Sequence, residues 1–111
     1  MSDNSLVHKK CKSCESKGLP FNPDEISPYL AMVQGWVVTE GKVIEKVFAS
    51  KNFVAAMAMA HKITEIAESE NHHPDLHVSY RTLRVELTTH SVGGLTENDF
   101  IVAAKIDQII G

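Results

Sequence analysis

The sequence predicts an α+β domain: a four-stranded antiparallel sheet made of two hairpins, with three helices packed on one face, in the order α-β-β-α-β-β-α. Segments with apolar residues at steps of three and four are separated by segments in which apolar and polar residues alternate. Each alternating segment is divided by a short turn, which makes its two halves antiparallel neighbours. A chain of 111 residues with 43% hydrophobic content is enough to build one such core.

Residues 1–22 are expected to form a flexible N-terminal arm, and residues 23–111 the single domain. The arm is polar and shows no hydrophobic period. It carries Cys11 and Cys14, a Cys-x-x-Cys pair that lacks the further ligands of a structural zinc site and the strand-to-helix turn of a thioredoxin-like protein. We therefore expect these two thiols to be reduced and unligated.

The first helix is predicted to start after Asn22, which is a favourable N-cap, with Pro23 in the first helical position. Apolar residues at helical spacing follow, and Gly35 is expected to end the helix. Residues 36–40 and 43–48 are rich in β-branched and aromatic residues and flank Gly41 and Lys42. This pattern predicts a β-hairpin with a two-residue turn.

The longest helix is predicted over residues 51–71, capped by Ser50, because this segment has neither glycine nor proline. Its apolar residues recur at steps of three and four, which indicates one buried stripe. The stripe consists of Phe53, Ala56, Met57, Ala60, Ile63, Ile66 and Ala67. Pro74 cannot continue a helix and disfavours helical backbone in the residue before it, so the helix must end near Asn71 or His72.

The second hairpin is predicted from residues 76–80 and 83–90, where apolar Leu83, Val85 and Leu87 alternate with polar residues. A capping sequence at Thr96 then starts the last helix. Its inner stripe consists of Phe100, Ala103, Ile106 and Ile110. Four strands are too few to close a barrel, so unpaired edges remain, and we expect a homo-oligomer.

Composition argues against two classes of partner. A net charge of -3 and a pI of 6.0 provide no basic surplus to neutralise a phosphate backbone, so direct nucleic-acid binding is not expected. No apolar run approaches the roughly 20 residues that cross a bilayer, and the N-terminus has no signal-peptide core. The sequence therefore predicts a cytoplasmic protein without a membrane partner.

Histidines at one end of the long helix predict a site of proton transfer. His72 and His73 precede Pro74, and His90 ends a predicted strand with the parity of its polar face. Imidazole is the side chain that most often exchanges a proton near neutral pH. Glu68 lies one helical turn before His72, where a carboxylate can orient the ring.

Two alternatives stay open on these residues alone. Asp99 is either a second supporting carboxylate or simply the third-position acid of the last helix. The alternative to proton transfer is a metal site formed by His72, His90 and a carboxylate. His73 and His77 do not form a ligand pair, because four extended residues separate them by roughly 13 Å.

The same residues, together with Tyr80, resemble the signature of the pterin-4a-carbinolamine dehydratases. The spacing is Glu68, three residues, His72-His73-Pro74, five residues, Tyr80, nine residues, His90, eight residues and Asp99. All positions of this pattern are filled, and the resemblance extends over about residues 23–110. It implies the α+β fold, assembly as a homodimer or homotetramer, and a metal-free enzyme without a cofactor. The enzyme would convert a 4a-hydroxytetrahydropterin to the quinonoid dihydropterin.

The resemblance also implies a role for each residue. His72 would be a general acid and base near the 4a-hydroxyl, His90 a second one on the opposite side, and His73 a binding and orienting residue. Glu68 and Asp99 would support them. The pocket would also use backbone around the two ends of the motif, so the contacts to the pterin would further include Pro74, Thr89 and Ser91. The activity would recycle the pterin cofactor of an aromatic amino acid hydroxylase.

The resemblance also implies an alternative function, that of a binding protein without catalytic activity. Animal members of the family also serve as dimerisation cofactors for a homeodomain transcription factor, which they contact through the long helix. No feature of this sequence indicates that role. A protein of this class would tolerate the loss of His72 and His90, whereas the dehydratase would not.

Overall fold

Seven helices and strands follow one another in the predicted order in a computed structural model that describes residues 5–9 and 19–110. They are α1 (Pro23–Leu30), β1 (Val37–Thr39), β2 (Val43–Ala49), α2 (Phe53–Glu70), β3 (Asp75–Val78), β4 (Thr82–Leu87) and α3 (Glu97–Ile110). Short 3-10 helices lie at Ser5–His8 and His90–Val92. The predicted fold class is confirmed, while Cys11 and Cys14 lie outside the described residues.

The four strands form one antiparallel sheet in the order β1-β2-β4-β3. β4 lies inside the sheet, and its Leu83, Val85 and Leu87 are fully buried as their alternation predicts. Arg84 and Glu86 point to the opposite, half-buried face. Helix α2 contacts β3 and β4, and α3 packs against α2 and α1. The core therefore lies between one face of the sheet and the helices.

The first hairpin turns one residue earlier than predicted. Its central residues are Glu40 and Gly41, with φ angles of 57° and 70°, and the Lys42 amide donates to the Thr39 carbonyl over 3.1 Å. Two central residues with positive φ match the right-handed twist of the strands, and glycine adopts this conformation without steric cost. A turn centred on Gly41 and Lys42 would place lysine in that strained position instead.

Helix α1 begins as predicted and ends earlier. The Asn22 side chain accepts from the Glu25 amide over 2.8 Å, and the Glu25 carboxylate accepts from the Asn22 amide over 2.9 Å, a complete capping box. After the C-cap Ala31 the amides bond three residues back, as the Val33 amide does to the Leu30 carbonyl over 3.2 Å. The predicted extension to Gly35 is therefore a series of turns.

Helix α2 starts on a different cap and ends where predicted. The Asn52 side chain accepts from the Ala55 amide over 2.8 Å, whereas Ser50, the predicted cap, bonds the Asn52 carbonyl. Asn71 takes the left-handed conformation that closes a helix, with φ 54° and ψ 42°. The next amide, of His72, donates to the Ala67 carbonyl over 3.1 Å. This C-cap fixes the direction in which His72 leaves the helix.

The predicted stripe of α2 is buried in part. Ala56, Ala60, Ile63 and Ala67 are buried, as predicted. Phe53 and Met57 were predicted to be buried with them, but they are 48% and 47% exposed, and the neighbouring Val54 is 76% exposed. The start of α2 therefore carries an exposed apolar surface, defined by Phe53, Val54 and Met57. None of the described helices is long and apolar enough to cross a membrane.

The described part of the predicted N-terminal arm contacts the domain. Ser5–His8 is helical, and Leu6 is 1% exposed within the core. The Lys9 ammonium bonds the Glu97 carboxylate over 2.6 Å, and this bond raises the pKa of Lys9. The Phe21 amide donates to the Leu95 carbonyl over 2.7 Å. The Lys9 contact thus joins the segment to the first turn of α3, and the Phe21 contact joins the residues before α1 to the loop that precedes α3.

Candidate functional site

The turn after α2 and the loop after β4 meet in an open cleft of about 230 Å³. The residues that line it are Asn71, His72, His73, Thr88, Thr89, His90 and Ser91. Three histidines from two distant parts of the chain therefore share one cleft, as the sequence predicted. Among the described residues, Glu68, Pro74 and Asp99 do not line the cleft, although each neighbours a residue that does.

His72 forms a buried pair with a carboxylate from α3. Its Nε2 lies 2.7 Å from Oδ1 of Asp99, and the two side chains are 6% and 0% exposed. A hydrogen bond between an imidazole and a carboxylate fixes the tautomer and the orientation of the ring. Such a histidine can accept a proton and return it while its ring stays in place.

Asp99 combines the two roles that the sequence left as alternatives. It lies in the first turn of α3, where its Oδ2 accepts from the amide of the capping residue Thr96 over 3.0 Å. The same oxygen accepts from the Thr89 hydroxyl over 2.8 Å, while Oδ1 faces His72. The helix-capping acid and the partner of His72 are one side chain.

Glu68 supports a different histidine from the one predicted. Its Oε2 lies 2.7 Å from Nε2 of His73, not from His72. The prediction assumed helical spacing between Glu68 and His72, but the helix ends at Glu70 and Asn71 reverses the backbone. The Glu68 and His73 side chains are 72% and 54% exposed, so their pair orients His73 but stabilises the fold little.

His90 faces solvent for a reason other than strand parity. Strand β4 ends at Leu87, and His90 begins the 3-10 helix His90–Val92. The loop is closed by the Thr89 amide, which donates to the Gly94 carbonyl over 2.8 Å, and by Gly93 at φ 76°. This closed loop places His90 in the lining of the same cleft as the turn after α2.

The remaining predicted residues separate into two groups. Thr89 and Ser91 line the cleft, but Thr89 is 2% exposed and its hydroxyl bonds Asp99. Pro74 is half-buried beside His73 and outside the lining. His77 lies on β3, 3.4 Å from Glu86, away from the cleft, as its extended spacing predicted.

The sequence analysis missed three residues of this site. Asn71 and Thr88 line the cleft, and the Thr96 hydroxyl lies 2.9 Å from that of Thr89. The sequence Thr96-x-x-Asp99 did indicate a capping box, but nothing in it linked that box to Thr89. Within residues 5–9 and 19–110, no group of three or more His, Cys, Asp or Glu side chains is placed to hold a metal ion.

Comparison with known proteins decides the family. A family model described as pterin 4 alpha carbinolamine dehydratase matches residues 19–109. The chain belongs to this family. The resemblance drawn from the spacing of Glu68, the histidines and Asp99 is thereby confirmed.

Relatives of the family cover nearly the whole chain. A protein of Nitrosospira multiformis is 43% identical over 106 residues, covering 96% of this chain and 93% of its own length. One of Legionella pneumophila strain Corby is 45% identical over 109 residues, covering 96% of each. The names of both assign them provisionally as pterin-4-alpha-carbinolamine dehydratases.

A solved structure from Brucella melitensis, described as a transcriptional coactivator/pterin dehydratase, has the same fold. It superposes with a TM-score of 0.77 at 31% identity and covers 83% of this chain and 99% of its own.

Proposed function

We propose that this protein is a cytoplasmic dehydratase that removes water from a 4a-hydroxytetrahydropterin to give the quinonoid dihydropterin. The observation that carries the proposal is the buried pair of His72 and Asp99 at the wall of a cleft that also holds His73 and His90. Family membership supports the substrate class. The product would re-enter the cycle of a pterin-dependent aromatic amino acid hydroxylase.

The proposed reaction needs two proton transfers. The C4a–O bond breaks, the departing hydroxide takes a proton to become water, and a ring nitrogen of the pterin loses a proton as its double bond to carbon forms. Imidazoles serve both steps because they exchange protons near neutral pH. No nucleophile, metal or cofactor enters this scheme.

We assign the two transfers to the two walls of the cleft. His72, held by Asp99, serves the 4a-hydroxyl, and His90 serves the opposite side. His73 binds and orients the pterin, with Glu68 fixing its ring over 2.7 Å. A planar substrate between the walls would meet one histidine on each side. This arrangement suits the elimination, in which one proton is donated to the departing hydroxide and one is taken from a pterin nitrogen.

The test is the dehydration rate of purified variants, measured by stopped flow on a 4a-hydroxytetrahydropterin. His72→Gln keeps an N–H donor for Asp99 but cannot exchange a proton, so we expect kcat to fall by about 100-fold. His90→Gln is expected to lower kcat in the same way. His61→Gln, on the exposed side of α2, is the matched control and should keep the wild-type rate. Wild-type rates in both cleft variants would refute the assignment.

We further propose that a second copy of the chain covers the exposed apolar surface of α2. Phe53, Val54 and Met57 are each about half exposed or more, and clustered apolar surface of this kind marks an interface. Light scattering after gel filtration would give the mass, and Met57→Glu should shift it towards the monomer. A wild-type protein that is monomeric at micromolar concentration would contradict this proposal.

A non-catalytic binding protein is the second candidate, and the same surface favours it. The Brucella melitensis protein is described by both roles, coactivator and dehydratase. The histidine variants separate the candidates, because a binding protein keeps its function without His72 and His90.

A further inference from the structure

We propose that Thr89 and Thr96 are positioning residues that hold the Asp99 carboxylate against Nε2 of His72 and thereby keep the ring proton on that nitrogen. The inference rests on the proposed function. Thr89 was expected to contact the pterin through its backbone, and the structure adds a second role, because the residue is 2% exposed and its hydroxyl donates to Asp99 over 2.8 Å. Thr96 was not expected at the site at all.

The direction of the hydrogen bonds follows from counting protons. A hydroxyl has one proton to donate, and a carboxylate only accepts. The Thr89 proton is therefore committed to Oδ2 of Asp99. The bond of 2.9 Å between the two hydroxyls must then be donated by Thr96. Its oxygen in turn accepts from the Asn98 amide over 3.3 Å, so the chain runs in one direction towards Asp99.

This chain of bonds assigns the two carboxylate oxygens of Asp99. Oδ2 is occupied by the Thr89 hydroxyl and the Thr96 amide, which leaves Oδ1 to face Nε2 of His72. Because Oδ1 of Asp99 only accepts hydrogen bonds, Nε2 of His72 must carry the ring proton that is donated to it. In the neutral ring the lone pair then lies on Nδ1.

The same hydroxyl joins the two walls of the cleft. Thr89 directly precedes His90 and closes its loop through the bond to Gly94, while Asp99 holds His72. The Thr89 side chain thus ties the backbone next to one proposed acid-base residue to the carboxylate that orients the other. Its loss would affect the geometry of both transfers without removing any group that touches the substrate.

The experiment compares three threonine variants. Thr89→Val removes the hydroxyl at nearly constant shape, Thr89→Ser retains it, and Thr82→Val makes the same change on β4 outside the network. We expect Thr89→Val to lower kcat by about tenfold or more, as loss of an orienting partner does, with little change in KM. Thr89→Ser and Thr82→Val should stay within about twofold of wild type.

Nitrogen-15 chemical shifts of the His72 ring give a readout that does not depend on activity. We expect the wild-type and Thr89→Ser rings to carry the proton on Nε2, and the Thr89→Val ring to show a mixture of tautomers. If Thr89→Val does not melt cooperatively, Thr89→Ala replaces it in both measurements because it also lacks the hydroxyl.

Two outcomes would overturn the inference. One is unchanged ring shifts and kcat in the variant that lacks the hydroxyl. The other is an equal defect in Thr89→Ser, which would mean that the methyl group and not the hydroxyl matters. If the wild-type protein has no dehydratase activity, the proposed function fails, and the tautomer of His72 still decides the role of Thr89.

Discussion

The substitution Asp99→Asn perturbs the proposed mechanism at one atom. The Asp99 carboxylate accepts bonds from His72, Thr89 and Thr96 in a site that is 0% exposed. Asparagine has the same shape but one acceptor oxygen and one donor nitrogen. If the oxygen keeps the two threonine donors, the amide nitrogen faces Nε2 of His72. The ring must then accept at Nε2 and carry its proton on Nδ1.

The magnitude follows from the share of the catalysis that His72 supplies. A positioned acid-base residue contributes about 100-fold to 10,000-fold, and a histidine in the wrong tautomer loses most of that. We therefore expect Asp99→Asn to lower kcat by about 100-fold or more with a small change in KM. Stability should fall by about 1–3 kcal/mol, the cost of weakening a charge-assisted hydrogen bond.

The matched control is Asp107→Asn on the same helix. Asp107 accepts from Nε1 of Trp36 over 3.0 Å and from Nζ of Lys46 over 2.9 Å, away from the cleft. It should lose a comparable part of its stability in urea unfolding and keep the wild-type kcat in stopped flow. A wild-type kcat in Asp99→Asn would refute the role of Asp99, and an equal loss in both variants would mean that stability explains the effect.

Three further predictions concern stability and binding. Leu6→Ala should lower the free energy of unfolding in urea by about 2–5 kcal/mol, whereas Leu19→Ala, at an 87% exposed position, should leave it unchanged. Equal effects of the two variants would contradict the anchoring of Ser5–His8. In thermal melts, Asn71→Ala should cost about 1 kcal/mol relative to Asn71→Gly, because φ is 54°; no difference would contradict the cap. Glu68→Gln should change stability by less than about 0.5 kcal/mol and raise the KM for the pterin, and an unchanged KM would count against the role of Glu68.

Those parts of the site that depend on local sequence were predictable. Pro74 forbids further helix, so the end of α2 near Asn71 and the exit of His72 and His73 could be read from a few residues. The same holds for the Asn22 capping box, whose members are three residues apart. In each case the deciding interaction lies within one turn of backbone.

Those parts that depend on side chains meeting across elements were not predictable. Helical spacing predicted that Glu68 would contact His72. The left-handed conformation of Asn71 ends the helix before His72, and Glu68 contacts His73 instead. The family resemblance implied only a backbone contact for Thr89, and nothing in the sequence linked its hydroxyl to a carboxylate ten residues further along. Hydrogen bonds between segments depend on packing distances that periodicity does not contain.

The positions of His72 and Asp99 show how the fold supports the proposed chemistry. Asp99 lies in the first turn of α3, where the positive end of a helix stabilises a carboxylate, and His72 follows the last turn of α2, where the negative end stabilises a cation. The carboxylate thus lies at the helix end that favours a negative charge. Glu70, misplaced at the negative end of α2, is bonded to the Lys105 ammonium over 2.6 Å. The hydrogen-bonded pair of His72 and Asp99 is therefore held between the ends of two helices, which keeps the His72 ring in place as the proposed proton transfer requires.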